Sequence, residues 1–178
     1  MVKIIQNLNL TIKIYYKIIR DKFNNSKAFF NTHKTKNLKF RKQQLKLLSK
    51  NIKNHENELL DALYKDLGKS KVEAYATEIG MLLKSIKLMR KELKNWSKTK
   101  QTDTPLYLFP TKSYIKKEPY GTVLIIGPFN YPVQLVFEPL IGAIAAGNTA
   151  IVKPSELTPH VAIVIKDIIE DTFDEAYV

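Results

Sequence analysis

The sequence predicts an incomplete α/β fold, in which an amino-terminal helical layer and edge strands precede one strand–helix–strand unit. Three observations carry this prediction. Amphipathic helical patterns fill residues 36–97, prolines interrupt a strand-like stretch at 105–119, and two short β-branched runs flank a long apolar segment within residues 120–178. A strand, a helix and a strand within about 30 residues are typical of one βαβ unit.

A basic amphipathic segment, residues 1–25, comes first along the chain. Its apolar residues recur at steps of three and four between lysines, and its charges exclude a membrane-spanning helix. We interpret residues 1–23 either as a helix that contacts a membrane surface or as one that packs on the domain or frays, and we favour the second interpretation. Residues 24–37 are polar and predict a connection.

Residues 36–97 predict the helical layer. Asn54 is predicted to cap its second helix, and Gly68 to end that helix. The run Ser70-Lys71-Val72-Glu73 matches a capping box, which starts a long helix. The apolar stripe of this long helix predicts a buried side made of Val72, Ile79, Leu82, Leu83, Ile86, Leu93 and Trp96.

The next stretch predicts a linker at residues 98–104 and one or two exposed strands at residues 105–119. Pro105, Pro110 and Pro119 each lack the backbone N–H that a central strand needs. The prolines therefore exclude a central strand and favour the edge of a sheet.

The βαβ unit follows. Its first strand, Thr122–Ile126, is a short apolar run typical of a strand buried on both faces of a parallel sheet. Residues 132–146 are apolar and long enough to predict a helix, which Gly147-Asn148 ends. Residues 149–152 predict the second strand of the same sheet.

One further helix is predicted to start at Thr158-Pro159, with Thr158 as the N-cap and Pro159 at the first helical position. A doubly wound sheet with only two parallel strands cannot cover its core. The sequence is therefore expected to stop before its fold is complete.

Composition and charge exclude several classes of function. The net charge is +12, and residues 1–118 hold 27 of the 29 basic and 10 of the 17 acidic residues, whereas residues 119–178 carry −5. The lysines are spread along helix faces and no nucleic-acid module is recognisable, so nucleic-acid binding is not expected. The chain has no cysteine, which excludes a cysteine nucleophile, and its three histidines lack metal-ligand spacing, so no metal site is expected.

Two polar turns end the two parallel strands, where ligands bind in open α/β sheets. They are Gly127-Pro128-Phe129-Asn130-Tyr131-Pro132 and Lys153-Pro154-Ser155-Glu156. The Asn130 amide can donate to a developing oxyanion, although asparagine in a turn also commonly bonds its own backbone. Lys153 and Glu156 can bind the hydroxyls of a ribose, or form only a turn and a surface pair.

These turns, together with residues 142–148, resemble the motifs of the NAD(P)-dependent aldehyde dehydrogenases, in particular their class 3-like branch. The resemblance extends from about residue 26 to residue 178 and covers an amino-terminal portion of the family pattern. It divides the chain into residues 1–25 and an aldehyde dehydrogenase portion, residues 26–178. It also implies that the βαβ unit begins a Rossmann-like cofactor domain.

The resemblance implies the oxidation of an aldehyde to a carboxylic acid with NAD or NADP. In the family pattern a cysteine thiolate attacks the aldehyde, and the resemblance implies that Asn130 is the donor that stabilises the resulting oxyanion. The nucleophile is absent from this chain, which is therefore expected to be inactive alone. The cofactor-binding residues that the resemblance implies are Ile126, Pro128, Lys153, Ser155 and Glu156.

The resemblance further implies an aldehyde as substrate, a cytoplasmic enzyme, and a homo-oligomer in the complete pattern, with subunit contacts near residues 105–119. Two alternatives stay open. The chain could be a truncated, non-catalytic protein that binds a membrane surface or a full-length homologue. It could also be the remnant of an interrupted gene.

Overall fold

The computed structural model describes the backbone of residues 2–178 and the side chains of residues 13–178. Helices and strands alternate in the second half of the chain, as expected for an α/β fold. The strands are β1 (Lys100–Thr102), β2 (Ser113–Ile115), β3 (Thr122–Ile126) and β4 (Thr149–Lys153). The helices are α1 (Val2–Asn31), α2 (Leu38–Asn54), α3 (Glu56–Leu67), α4 (Lys71–Ala74), α5 (Gly80–Trp96), α6 (Gln134–Ala146) and α7 (Pro159–Thr172), with a π-helical turn at Tyr75–Ile79 and 3-10 turns at Lys34–Lys36 and Leu106–Leu108.

The βαβ unit forms as predicted. β3 and β4 pair in parallel, with Thr122 opposite Thr149 and Ile126 opposite Lys153, and α6 connects them. Gly147 ends α6 in the left-handed region, with φ of 93°. The predicted α/β fold class is confirmed.

One prediction about β3 is wrong, because the strand is not buried on both faces. Ile125 is buried in the core, whereas Leu124 and Ile126 are 63% and 65% exposed. Successive side chains of a strand alternate between faces, and α6 packs against β3 on the side of Ile125. In the described part of the chain, the other face is left open near the carboxyl end of the strand.

The helical layer and the βαβ unit share one core. α2 packs against α5, α6 and α7, α3 packs against α7, and α5 packs against α6. The apolar residues of these helices recur at steps of three and four, so each helix presents one apolar face to the others. The residues that bury completely include Leu45, Leu48, Ile52, Leu59, Leu63 and Leu82.

The long helix predicted from residue 70 onward is interrupted by the π-helical turn. Ser70 caps its start, since its side chain accepts from the Glu73 N–H at 3.2 Å, as predicted. Val72 and Trp96 were predicted to be buried, which is wrong, because they are 81% and 41% exposed. A π-turn adds a residue to the helical repeat, so Val72, which precedes the turn, is out of phase with the buried residues that follow it.

Three local boundaries also differ from the predictions. The predicted connection at residues 24–37 is helical as far as Asn31, because α1 continues through it. Asn54 does not cap α3; it is the last residue of α2, and His55 is the N-cap of α3. The predicted linker at residues 98–104 contains β1.

β1 and β2 form a short antiparallel ribbon, with Lys100 opposite Ile115 and Thr102 opposite Ser113. The stretch at residues 105–119 thus contains one strand and a 3-10 turn, and the partner strand lies before it. Tyr114 and Ile115 are exposed, which fits the predicted edge position.

The described part of α1 is exposed through residue 25 and packs only near its end. Ser26 is buried, and Phe29 packs against the core. The preferred interpretation of residues 1–23 was a helix that packs on the domain or frays. Packing is wrong for residues 13–21, which are all exposed, and fraying stays a prediction. Among the described residues, no helix is long and apolar enough to cross a membrane. The side chains of Ile4, Ile5, Leu8 and Ile12, on which the amphipathic pattern partly rests, lie outside the described residues.

Candidate functional site

The two polar turns lie side by side at the carboxyl edge of the sheet. The Gly127 N–H donates to the Lys153 carbonyl at 2.9 Å and so extends the β3–β4 pairing beyond β3. A Cβ atom at Gly127 would overlap the Val136 side chain of α6, so only glycine allows this close approach. The turn after β3 and the turn after β4 are therefore brought together.

Asn130 lies at the exposed end of the turn after β3. Its backbone carbonyl accepts a hydrogen bond from the Lys69 ammonium at 3.0 Å. Its side chain is exposed, and within the described residues its amide makes no hydrogen bond to the turn itself. The backbone of Asn130 is anchored, while its two amide donors remain available to a ligand.

The anchor of this turn is a buried ion pair between Lys69 and Glu78. The ammonium donates to Glu78 Oε1 at 2.6 Å, and the Glu78 side chain is completely buried. Glu78 Oε2 accepts from the N–H groups of Val133 at 2.8 Å and Gln134 at 3.2 Å, at the start of α6. The Lys69 ammonium also lies 4.0 Å from the centre of the Tyr131 ring.

Sequence reasoning missed this pair, although the sequence carries a signal for it. Glu78 stands at a four-residue step between Ala74 and Leu82, on the buried stripe of the long helix. A carboxylate at a core position is rarely fully buried without a partner. A search for its cation would have pointed to Lys69.

Lys153 and Glu156 form an exposed ion pair in the turn after β4. The hydrogen bond from Lys153 holds the pKa of the Glu156 carboxyl below its usual value. Ser155 is buried, and its hydroxyl accepts from the Leu157 N–H at 3.2 Å. This turn thus offers a charged pair to solvent and fixes itself through local contacts.

A cavity of about 650 Å³ lies beside this turn, a volume within the range of small-molecule sites. Lys153, Ser155 and Glu156 line it together with apolar residues of α7, among them Ile165 and Ile169. The structure therefore brings three of the five predicted cofactor-binding residues to one cavity. The other two, Ile126 and Pro128, and also Asn130, are not part of its lining.

The N-terminus of α7, which follows this turn, is capped by a residue that is distant in the sequence. Asp66 of α3 accepts from the Val161 N–H at 2.9 Å and from the His160 N–H at 3.4 Å. Thr158 is the N-cap residue, as predicted, but its hydroxyl makes no capping bond. The capping side chain is therefore Asp66, because its carboxylate already lies at the free N–H groups of α7.

α6 is also held at its carboxyl end. Arg41 is buried and donates to the Ala145 carbonyl at 3.2 Å and to the Thr35 carbonyl at 2.5 Å. Burial lowers the pKa of Arg41. A cation at the carboxyl end and a carboxylate at the amino end both complement the helix dipole, so the orientation of α6 is fixed at its two ends.

Comparison with protein families gives a match to the aldehyde dehydrogenase family over residues 16–176. The 4,4'-diaponeurosporen-aldehyde dehydrogenase of Staphylococcus aureus is 76% identical over 161 residues, which are 90% of this chain and 35% of that protein. Aldehyde dehydrogenase family 3 member B3 of Mus musculus is 40% identical over 156 residues, which are 88% of this chain and 33% of that protein. The chain spans about a third of the length of these relatives.

Solved structures give the same picture. The substrate-bound state of Staphylococcus aureus AldH matches with a TM-score of 0.87 and 76% identity, over 89% of this chain and 35% of that one. The glyceraldehyde-3-phosphate dehydrogenase GapN of Methanocaldococcus jannaschii, complexed with NADP, matches with a TM-score of 0.76 and 25% identity, over 91% of this chain and 34% of that one. The described fold is therefore the amino-terminal part of theirs.

Proposed function

Since this chain belongs to the aldehyde dehydrogenase family, we propose that it provides the oxyanion donor and part of the dinucleotide site of an enzyme that oxidises an aldehyde to a carboxylic acid. The observation that carries the proposal is Asn130, an exposed amide on an anchored turn at the carboxyl end of β3. The chain spans only part of its relatives' length, so the activity is proposed for the complete enzyme.

Asn130 would act on the negative charge that develops when a thiolate attacks the aldehyde carbonyl. A neutral amide donor stabilises that oxygen without changing the protonation of the site, and such a donor typically contributes about 10²–10³-fold to kcat. The donor is most effective when its direction is fixed before the reaction. An anchored backbone with a free side-chain amide supports this role.

Lys153, Ser155 and Glu156 would hold the ribose of NAD or NADP, whose nicotinamide accepts the hydride when bound. The donor set suits that group, because an ammonium and a carboxylate at the rim of a cavity can bond a ribose diol, and an ammonium can also meet a 2′-phosphate. We further propose that Ile126 and Pro128, at the end of β3, contact the same cofactor.

The experiment is a chimera in which residues 1–176 replace the matching portion of the Staphylococcus aureus relative. Aldehyde-dependent formation of NADH or NADPH is measured for the chimera and for the 178-residue chain, with 4,4'-diaponeurosporen-aldehyde and a simple aliphatic aldehyde. The chimera should turn over and the chain alone should not, because the chain has no cysteine. A folded chimera without activity, or robust turnover by the chain, would contradict the proposal.

We also propose that the β1–β2 ribbon takes part in subunit contacts of the complete enzyme. Leu106, Tyr107 and Phe109 beside it are among the most exposed large apolar residues of the described chain. The chimera should be oligomeric by light scattering, and replacing these three residues by serine should shift it toward the monomer. An unchanged mass would contradict this proposal.

A second candidate function rests on α1. Ile14, Ile18 and Phe23 are exposed beside Lys17 and Arg20, a combination that suits contact with an anionic membrane surface. Co-sedimentation with anionic vesicles at low salt, lost on deletion of residues 1–23, would support it. No co-sedimentation of the intact chain would remove it.

A further inference from the structure

The buried pair of Lys69 and Glu78 connects the helical layer to the turn that carries Asn130. Beyond their mutual bond, their contacts reach one segment, residues 130–134. We infer that Lys69 and Glu78 are positioning residues, which fix the turn that carries Asn130 and so the direction of its side-chain amide. This inference rests on the function proposed for Asn130.

The contacts divide between the two side chains in a way that fixes both ends of the segment. Lys69 bonds the carbonyl of Asn130 and lies over the Tyr131 ring, so it holds the first half. Glu78 bonds the N–H groups of Val133 and Gln134, so it holds the second half and the start of α6. Because the two charges also bond each other, one connected set of contacts holds both ends of the segment.

Stability alone does not account for such a pair. Apolar residues of similar volume at the place of a buried ion pair often leave a protein equally stable, or make it more stable. The Lys69 ammonium is itself largely buried, with a side-chain exposure of 10%. Apolar residues could replace this pair without loss of stability, and its other hydrogen bonds reach the turn of the proposed oxyanion donor. We therefore assign the pair to the positioning of that turn.

The backbone around Glu78 supports this interpretation. Glu78 lies in the π-helical turn, and π-turns are frequent at functional sites. Gly80 follows the turn, where a Cβ atom would come within 3.1 Å of the Tyr75 carbonyl. The carboxylate that caps the N-terminus of α6 therefore comes from an irregular turn of the helical layer.

The test uses amide hydrogen exchange of the full 178-residue chain. The informative variant is Lys69→Met/Glu78→Leu, which replaces the pair by apolar residues and leaves no unpaired charge. We expect its urea midpoint to stay near the original value, while the Val133 and Gln134 amides exchange about tenfold faster or more. Lys69→Arg, which retains the charge and the donors, should keep the original exchange rates. Lys71→Met, at an exposed lysine, is the matched control.

Two outcomes would overturn the inference. The first is unchanged exchange at Val133 and Gln134 in the double variant. The second is faster exchange by the same factor at core amides such as Leu48 and Leu82, which would show a general structural role. If the double variant does not fold, Lys69→Leu/Glu78→Met supplies the same comparison, because it also removes both charges and both sets of hydrogen bonds.

Kinetics of the active chimera provide a second readout. The double variant should lower kcat by about tenfold to a hundredfold and leave the KM for the dinucleotide unchanged, because a displaced donor affects the reacting oxygen only. An unchanged kcat in the double variant would overturn the inference. An inactive parent chimera would instead count against the proposed function, and the exchange measurement would still decide whether the pair fixes the turn.

Discussion

The helices that follow the two parallel strands are capped in the same manner but in different surroundings. Each N-terminus receives a carboxylate from the helical layer, Glu78 at α6 and Asp66 at α7. Glu78 is completely buried and paired with Lys69, whereas Asp66, with a 3% exposed side chain, is paired with the exposed His160. The turn before α6 therefore depends on a buried pair, and the turn before α7 depends mainly on itself.

The two turns differ in how firmly the fold fixes them, and this difference matches the role proposed for each. An oxyanion donor has to be aimed at one atom, and the turn of Asn130 is fixed from the interior by two side chains. A ribose-binding pair can adjust to its ligand, and the side chains of Lys153 and Glu156 are exposed and paired with each other. Four predictions compare the buried Lys69–Glu78 pair with the contacts of α7 and of the turn after β4.

The largest effect is expected from Lys69→Met. Removing one partner leaves Glu78 as an uncompensated buried charge, which typically costs about 3–5 kcal/mol of the free energy of unfolding. The low end is expected, since Glu78 keeps its two backbone donors. Urea unfolding measures the change, with Lys71→Met as a control that should change little, because its ion pair with Asp61 is exposed. An equal loss of unfolding free energy in Lys69→Met and Lys71→Met would contradict the special role of the buried pair.

A smaller effect is expected from Asp66→Ala at the other helix. Loss of a side chain that caps a helix N-terminus costs about 0.5–2 kcal/mol. Asp61→Ala, on the exposed face of the same helix, is the matched control and should be nearly neutral. The measurement is again urea unfolding. A loss as large as that of Lys69→Met would show that the two caps are equivalent.

A pH dependence is expected at the carboxyl end of α7. The hydrogen bond with Glu58 and, to a lesser degree, that with Asp171 raise the pKa of His55 above 6.5. A raised folded-state pKa contributes stability that is fully present below the unfolded value and is lost as the pH rises through the folded value. Stability measured from pH 5.5 to 8.5 should therefore fall at the alkaline side, and His55→Gln should remove that slope. A slope that persists in His55→Gln would contradict the assignment.

The smallest effect is expected from Lys153→Ala. Both partners of the Lys153–Glu156 pair are exposed, so the urea midpoint should not change. The pKa of Glu156, observed by carbon NMR, should rise toward 4.5 once the Lys153 hydrogen bond is lost. The pKa of Glu118, which Lys116 and Lys36 lower, should stay unchanged and serves as the control. A constant Glu156 pKa would show that the pair does not form in solution.

Much of the fold could be predicted because its signals are local. The apolar run of β3, the length of the segment that became α6 and the glycine at position 147 lie within about 30 residues and specify a βαβ unit. The same stretch carries Asn130, Lys153 and Glu156 at the strand ends. Their functional roles remain predictions, since only kinetics and binding can test them.

The errors arose where the residue pattern does not contain the information that decides the structure. The cap of α7 comes from Asp66, 95 residues before Val161, and no local pattern at Thr158 contains it. Val72 is exposed because a π-turn changes the phase of the helix, and the spacing of apolar residues in the sequence does not reveal that turn. The exposure of Leu124 depended on whether another element covers the second face of β3, and the composition of the strand does not contain that information.

The most direct test of the central claim is the kcat of the chimera with Asn130→Ala, compared with Asn57→Ala, an exposed asparagine on α3. Loss of an oxyanion donor should lower kcat by about 10²–10³-fold, while the KM for the dinucleotide and the urea midpoint stay unchanged. Asn57→Ala should match the parent chimera. A kcat for Asn130→Ala equal to that of the parent would contradict the account.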